Sequence, residues 1–291
     1  MPERPELDYQ RERLSEEVVG LQITNVEVCE PLVLRRMLDA SAAEALRGQA
    51  IARVRRRVHF LLFDLQGPAP ATLLAVHPML AGRFSLGAPD ARLTKDTALR
   101  LCLSDGRELR YRDEERMGKV YLARTADEAQ IPGLAQTGAD VLAPDFTVER
   151  LAAIARGRRE QLKTFLLDKG ALDALGNAYA DEALFAARLH PKRRVNELSP
   201  AELAALHAGI IEVLREASAA VRDARPPLEA KLRDHLRVRN KKGQPCSACG
   251  GPIRVCGVNG HDAFFCGACQ VDPAGRGLVN WSTITQRGDR G

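Results

Sequence analysis

The chain has 291 residues, of which 45% are hydrophobic, 28% charged and 4% aromatic. This length and apolar fraction are typical of a globular protein of about two domains and exclude wholesale disorder, while the few aromatics argue against binding that depends on stacked single-stranded bases. The formal net charge of +5 permits a polyanionic partner without requiring one.

The sequence gives no sign of a membrane or secretory segment. No apolar run follows a basic start, and no apolar stretch approaches the roughly 20 residues that a membrane helix needs. We therefore expect a cytoplasmic protein with no membrane partner, in which disulfides are rare. Seven cysteines in such a compartment need another explanation.

The first 130 residues are predicted to be rich in β-strands after one leading helix. That helix is expected over residues 8–19, because Leu7, Leu14 and Val18 share one face. Strand patterns follow in LQITNVEV, VHFLLFDL and TLLAVHPMLAGRFSL. LRLCLSDGRELRYRD predicts a hairpin, since Asp105-Gly106 suits the positive φ angles of a type I′ turn.

After residue 145 the spacing of the apolar residues changes to that of a helix, which predicts a helical region. Residues 131–145 carry two prolines and two glycines and are predicted to be a linker. Thr147 is placed to cap the next helix, and Ser199 with Glu202 forms a capping box at the start of another. The apolar stripe of that later helix is predicted to consist of Leu203, Leu206, Ile210, Val213 and Leu214.

The segment LGNAYADE, residues 175–182, joins two helical stretches. Gly176 suits a tight turn, and Asn177 is a favourable N-cap residue. A helix that begins there directs free N–H groups and the positive end of its dipole outward, as a phosphate site requires, and Lys163 could add charge. Taken alone, the segment fits an ordinary helix–turn–helix with a capping asparagine better than it fits a phosphate site.

Two CxxC pairs predict a metal site. Cys246 and Cys249 are separated from Cys266 and Cys269 by sixteen residues, and together they supply four thiolates for one tetrahedral Zn²⁺. One pair alone would fit a redox dithiol equally well. Because all four ligands are cysteine, no coordination position stays open, and the zinc is predicted to be structural. Asn259-Gly260 between the pairs predicts a β-hairpin.

Two basic clusters stand out along the chain. One consists of Arg53, Arg55, Arg56 and Arg57, and the other of Lys231, Arg233, Arg237, Arg239, Lys241 and Lys242. A solvated face is the simpler interpretation of each cluster alone. Beside a predicted zinc hairpin, the second cluster favours contact with phosphates.

Three separated motifs together resemble the formamidopyrimidine-DNA glycosylase and endonuclease VIII family. They are MPERPEL, DALGNAYADE and CSACG…FFCGACQ, and RRRVHFLLF, HPMLAG and YRDEERMG are also similar, in the family's order. The resemblance implies an α+β fold, with a catalytic N-terminal β-sandwich and leading helix over 1–130. After it would come a linker over 131–145 and a helix-two-turn-helix DNA-binding domain over 146–225. The chain would end in a basic segment over 226–291, which contains a zinc hairpin at about 244–271.

The resemblance also implies the chemistry of base excision repair. Damaged duplex DNA would bind a monomer in the cleft between two lobes, so the protein would be associated with the nucleoid. If Met1 is removed, Pro2 presents a secondary amine that titrates near pH 8 and is partly nucleophilic at neutral pH. The resemblance implies that Pro2 attacks C1′ of the damaged nucleotide and forms an iminium Schiff base, as in a bifunctional DNA glycosylase and abasic-site lyase. Glu3 matches the family's acid and Glu6 a second acidic position.

The implied DNA contacts are His59, Lys163, Asn177 and His261. Two of them depart from the family, since His59 stands where the family has a lysine and His261 where it has an arginine. A titratable ring replaces a permanent charge at both positions, which predicts weaker and more pH-dependent DNA binding.

The residues expected to fill the gap left by an extruded base differ as well. Leu80 stands near the family's methionine, Met117 near its phenylalanine and Glu115 near its arginine, so Arg116 is the alternative cation. The stretch between Arg222 and Asp234 is too short for the long loop that cups oxidised guanine, which predicts that 8-oxoguanine is not the main substrate.

Two other interpretations remain. His59, His261 and Glu115 motivate a catalytically weak or inactive protein of the same fold that binds damaged DNA. An unrelated zinc-ribbon protein that binds RNA or another protein would explain the cysteines but not the amino-terminal motif.

Overall fold

The structure, a computed structural model, describes residues 2–275 apart from 69, 90, 136, 174 and 273. Met1, whose removal the proposed chemistry requires, and residues 276–291 of the predicted basic segment lie outside the described residues. Among the helices of this part of the chain, none is long and apolar enough to cross a membrane.

The chain divides into two compact units. Unit 1 contains the chain up to Thr137 and also Ala217–Arg233, and unit 2 contains Gly138–Glu216 and the chain from Asp234 onward. The predicted domains were contiguous, with boundaries at 130, 145 and 225, so both units differ from the prediction. The predicted helical domain loses its last residues to unit 1.

The described part of unit 1 has two sheets, two complete α-helices, the 3-10 helices Pro31–Val33 and Thr125–Gln130, and the end of a further helix. Helix α1 covers Arg4–Val18 and α2 covers Ala42–Leu46. The strands are β1 Ile23–Val28, β2 Leu34–Arg36, β3 Ala50–Arg57, β4 Phe60–Gln66, β5 Thr72–His77, β6 Arg83–Gly87, β7 Thr97–Leu103, β8 Glu108–Arg112 and β9 Lys119–Arg124.

The two sheets of unit 1 form the predicted β-sandwich. One has the order β1-β7-β8-β6 and the other β2-β9-β5-β4-β3, and β2 with β9 is the parallel pair among antiparallel neighbours. Strands β4 and β5 are buried along almost their whole length, which explains their continuous apolar sequence. Phe63, Phe84 and Tyr111 meet between the sheets, with neighbouring ring centroids 5.5 and 5.4 Å apart.

Helix α1 begins four residues earlier than predicted. Glu3 is its N-cap residue, and Pro5 lies in its first turn, where a missing N–H costs nothing. The prolines of MPERPEL therefore mark the start of the helix rather than a segment before it. Leu7, Leu14 and Val18 are fully buried in the core of unit 1, as predicted.

The hairpin between β7 and β8 forms as predicted, but its turn is of another type. Gly106 has a φ of +87°, whereas Asp105 is absent from the residues with positive φ. Leu103 donates its N–H to Arg107 O at 2.8 Å, which closes a three-residue loop with glycine in the left-handed position. This is a type I turn with a bulge, and the predicted type I′ turn is wrong.

The segment predicted as a linker is partly buried. Ile131 and Leu134 pack in a cluster with Phe60, Leu62 and Tyr121, and Val141 is also fully buried. Gly133 has a φ of +93° and brings the chain against the Phe60 ring. Glycine and proline therefore shape a packed turn here.

Residues Ala217–Arg233 belong to unit 1 because they contact α1. Arg222 forms an ion pair with Glu12, with Nε 2.8 Å from Oε2 and Nη2 2.6 Å from Oε1. Tyr9 Oη donates to Pro226 O at 2.7 Å, and Gln10 Nε2 donates to Leu228 O at 3.0 Å. These contacts join residues more than two hundred positions apart.

Unit 2 combines helices with one hairpin in its described part. The helices are α3 Val148–Ala155, α4 Leu162–Leu167, α5 Asn177–Ala186 and α6 Pro200–Ala224, whose last eight residues belong to unit 1, and the strands are β10 Ile253–Val258 and β11 His261–Cys266. The predicted caps are confirmed. Thr147 Oγ1 accepts the N–H of Arg150, and Ser199 and Glu202 bond each other's backbone N–H. Most of the predicted stripe of α6 is buried, with Leu203 only half-buried.

Candidate functional site

The amino-terminal acids of unit 1 are enclosed and bonded to each other. Pro2 precedes the N-cap residue of α1 and is buried, and Glu3 and Glu6 are 4% and 5% exposed. Glu6 Oε2 accepts the N–H of Glu3 at 2.9 Å, while Glu6 Oε1 lies 3.1 Å from Nη1 of Arg233. The structure thus brings Pro2, Glu3 and Glu6 together at one helix start, which has a positive dipole end that favours carboxylates.

Three of the four arginines of the β3 cluster pair with carboxylates within unit 1. Arg55 forms a double hydrogen bond of 2.6 Å with Asp64, whose carboxylate raises the pKa of Arg55 above its ordinary value. Arg55 and Arg57 share Glu128, and their hydrogen bonds lower the pKa of that carboxyl group. Arg56 pairs with Asp8 of α1 at 2.7 Å. These arginines tie strands and helix together, which is a structural role that the spacing alone did not reveal.

His59 lies in the turn between β3 and β4 and is fully buried. Val58 before it has a φ of +53°, which turns the chain sharply. The His59 ring stacks on His77, with centroids 6.0 Å apart, and Phe60 packs edge-on against His77 at 4.8 Å. A phosphate contact by His59 requires this ring cluster to open, and the DNA-binding role assigned to His59 stays a prediction.

The three residues predicted to fill a base gap lie on exposed turns of unit 1. Leu80 is 52% exposed and Met117 is 44% exposed. Arg116 is also exposed, has a φ of +53° and forms an ion pair of 3.0 Å with Glu30. Exposed apolar tips on tight turns are suited to insertion between bases, and this role stays a prediction.

Tyr111 supports both of these turns and was missed by sequence reasoning. A Cβ on Gly82 would lie 2.2 Å from the Tyr111 hydroxyl, and one on Gly118 would lie 2.0 Å from it. Asp113 Oδ2 accepts the N–H of Gly118 at 2.6 Å. Burial, with the negative charge of Asp113, raises the pKa of Tyr111 above its ordinary value. The glycines that end HPMLAG and YRDEERMG were the available signal for this close approach.

The Gly-Asn turn of unit 2 is held from the inside by Lys163. Gly176, not Asn177, is the N-cap residue of α5, because Gly176 has extended backbone angles and Asn177 is already helical. Lys163 is fully buried, and its Nζ donates to Asn177 O at 2.6 Å and to Asp181 Oδ1 at 2.7 Å. Lys163 therefore stabilises the turn, while its predicted phosphate contact and that of Asn177 stay untested.

A buried acidic pair in α5 joins the helices of unit 2 to the hairpin. Glu182 accepts the backbone N–H groups of Arg237, Val238 and Arg239 at 2.8 to 2.9 Å. Arg239 also pairs with Asp181 at 2.9 Å and donates to the backbone carbonyl of β11 residue 262. Burial raises the pKa of both carboxyl groups, although their donors partly oppose it.

These contacts change the interpretation of the second basic cluster. Arg233, Arg237 and Arg239 pair with carboxylates of the protein, and Lys231 Nζ donates to Leu80 O at 3.1 Å. Lys242 remains exposed. Much of the cluster predicted to contact phosphate thus holds the fold together.

The four predicted cysteines converge at the base of the β10–β11 hairpin. Their Sγ atoms lie within 4.8 Å of one another, with Cys246 to Cys269 at 3.9 Å and Cys249 to Cys266 at 3.5 Å. A tetrahedral Zn²⁺ with Zn–S bonds of about 2.3 Å needs sulfur separations of about 3.8 Å, so this donor set fits zinc. Burial opposes ionisation of Cys266, but the N–H groups of Cys269 and Ala268 and the neighbouring thiols lower its pKa to about 7.

His261 lies at the tip of the same hairpin, as predicted. Asn259 and Gly260 have φ angles of +45° and +81°, which confirms the two-residue turn. Asn259 Nδ2 donates to Thr164 Oγ1 of α4 at 2.9 Å. His261 is exposed and borders a depression of about 430 Å³ with Thr164 and Asp168.

Comparison with known proteins gives matches along both units. A family model of the formamidopyrimidine-DNA glycosylase N-terminal domain matches residues 1–120, and one of the formamidopyrimidine-DNA glycosylase H2TH domain matches residues 137–224. The formamidopyrimidine-DNA glycosylase of Symbiobacterium thermophilum is 37% identical over 96% of this chain and 92% of its own length. That of Halalkalibacterium halodurans is 34% identical over 93% of this chain and all of its own.

Solved structures give the same result. The Lactococcus lactis Fpg bound to DNA with an abasic site is 27% identical, with a TM-score of 0.84 over 93% of this chain and 100% of that chain. The complex of the same enzyme with N7-benzyl-Fapy-dG DNA is 28% identical, with the same TM-score and coverage.

The fold combines a β-sandwich, a helix-two-turn-helix domain and a four-cysteine hairpin. This combination defines a class of DNA glycosylases that act in base excision repair. Within this class, the chain belongs to the formamidopyrimidine-DNA glycosylase family. The predicted family and fold class are thereby confirmed.

Proposed function

We propose that this protein is a bifunctional DNA glycosylase and abasic-site lyase that acts through the amine of Pro2. The observation that carries the proposal is the enclosed start of α1, where Pro2 is followed by two buried acids joined by the bond from Glu3 N–H to Glu6. The names of the relatives and the damaged DNA in the related complexes support it.

The reaction begins with the neutral secondary amine. Its nitrogen forms a bond to C1′ as the bond between C1′ and the base breaks, and the base leaves with the electron pair of that bond and takes up a proton. The attached nitrogen releases its proton to the departing base, which restores the nitrogen lone pair. Glu3 then protonates the sugar ring oxygen, the bond between C1′ and that oxygen breaks as the ring opens, and the nitrogen lone pair forms an iminium ion with C1′.

The cation then drives strand cleavage. It acidifies the C2′ proton, whose removal expels the 3′ phosphate by β-elimination, and a second proton loss at C4′ expels the 5′ phosphate by δ-elimination. Hydrolysis of the iminium ion returns the amine of Pro2. Proline within a chain cannot do this, because its nitrogen is already an amide.

We propose that unit 2 supplies DNA contacts that position the backbone without reading its sequence. The start of α5 at Gly176 and Asn177 offers N–H groups to a phosphate, with Lys163 supporting the turn beneath them. His261, on the exposed hairpin tip, would donate one further bond to a phosphate. A single structural zinc ion, held by Cys246, Cys249, Cys266 and Cys269, would fix that hairpin.

Borohydride reduction in the presence of abasic-site duplex tests the proposal. Protein whose Met1 is removed, as checked by intact mass, is expected to give a covalent protein–DNA adduct. Pro2→Gly and a form that retains Met1 are expected to give much less adduct or none. If the processed wild-type protein forms no adduct, the proposed chemistry is wrong.

A second candidate function is a damage-binding protein with little or no catalysis. The complete burial of His59 at a position where the family carries a lysine favours it. Affinity for abasic duplex without strand cleavage would support this alternative, whereas equal affinity for intact duplex would count against it.

A further inference from the structure

Arg233 of unit 1 contacts Glu6 from outside α1. Its Nη1 lies 3.1 Å from Glu6 Oε1, and the two side chains are 23% and 7% exposed. The other oxygen of Glu6 accepts the N–H of Glu3. One carboxylate therefore connects the guanidinium of Arg233 to the backbone of the residue that follows Pro2.

The segment that leads to Arg233 is held in place at two points. Leu228 packs in the core of unit 1, and its carbonyl accepts a hydrogen bond from Gln10 of α1. Lys231 reaches the carbonyl of Leu80, on the turn predicted to fill a base gap. Residues 228–233 thus connect the start of α1 with that turn.

An arginine in this position controls the direction of the Glu6 carboxylate. Glu6 would otherwise choose among side-chain rotamers, while the ion pair and the bond to Glu3 N–H together specify one of them. An ion pair in a nearly enclosed site is screened less by solvent and salt than an exposed one. The direction of Glu6 in turn sets the Glu3 backbone and the orientation of the Pro2 ring nitrogen.

We propose that Arg233 is a positioning residue for the amino-terminal reaction, acting through Glu6. The inference rests on the proposed function of Pro2. The short stretch before Asp234 then does more than omit a base-cupping loop, since it supplies the cation that orders the reacting terminus.

The test compares Arg233→Gln and Arg233→Lys with Arg222→Gln as the matched control. Arg222 also forms an ion pair with α1, but its partner is Glu12, about two helical turns from the amino-terminal end of that helix. Single-turnover adduct formation with borohydride on abasic duplex reports the reaction, and fluorescence anisotropy reports DNA affinity.

Loss of this ion pair predicts that Arg233→Gln lowers the rate of adduct formation roughly 10-fold, with the Kd changed by less than about 3-fold. Arg233→Lys should recover most of the rate, and Arg222→Gln should match wild type. A Kd increase that accounts for the whole rate loss would instead show that Arg233 contacts phosphate and would overturn the proposal.

A double-mutant cycle with Glu6→Gln tests whether Arg233 acts through Glu6. The double variant should react no more slowly than Glu6→Gln alone, because the partner of Arg233 is already lost. Full additivity would overturn the proposal. Failure of wild type to form the adduct is a separate result, since it refutes the chemistry of Pro2 before any variant is compared.

Discussion

At the scale of single residues, close approach explains several positions that composition cannot. Gly82 is one of them, since a Cβ there would lie 2.4 Å from Pro78 O and 2.2 Å from Tyr111 Oη. We therefore expect Gly82→Ala to lower the free energy of unfolding by about 1–3 kcal/mol through overpacking. Urea denaturation measures this, with Gly257→Ala as the control, because nothing lies within 4 Å of a Cβ there. Equal stability of the two variants would contradict the packing described for Tyr111.

At the scale of elements, the start of α6 shows how a cap responds to pH. Arg193 and the N–H of Ser199 hydrogen-bond Glu202, which lowers the pKa of Glu202 from 4.5 to about 2 although burial opposes this. A lowered folded-state pKa means that the ionised carboxylate stabilises the fold above pH 4.5 and that this contribution is lost as pH falls towards 2. Because Glu202 is a third exposed, we expect about 1 kcal/mol.

Glu202→Gln should therefore be less stable than wild type at pH 7, and the difference should shrink as the pH approaches 2. Thermal unfolding followed by circular dichroism across this range measures it. Glu212→Gln, on an exposed position of the same helix, is the control and should show no such pH trend. A constant difference between wild type and Glu202→Gln would rule out the ion pair with Arg193 as its source.

At the scale of the whole molecule, the two units make the effect of metal removal local. The core beneath the β10–β11 hairpin joins Cys246 and Cys266 to Phe185 and Val238, all within unit 2. We expect one zinc per chain by elemental analysis, and chelation should increase amide hydrogen exchange in β10 and β11 while sparing β4 and β5 of unit 1. DNA affinity should fall at the same time. Uniform exchange throughout the chain after chelation would contradict a local role for the metal.

Local patterns in the sequence determined several elements and the four-cysteine cluster. Capping by Thr147 and Ser199, the Asn259-Gly260 turn and the four cysteines all depend on neighbours a few positions apart, and the structure has each of them as predicted. The amino-terminal motif likewise indicated the family correctly, although its prolines hid the true start of α1.

The tertiary structure alone decided which charges are used within the fold. Ion pairs join Arg55 to Asp64 and Glu128, Lys163 to Asp181, and Arg233 to Glu6. Each pair forms only when the fold brings separate elements of the chain together. A basic cluster looks the same in sequence whether it faces solvent, phosphate or a buried carboxylate. Only folding sets the distance and the solvent exclusion that give these pairs their strength, so their roles could not be read from spacing.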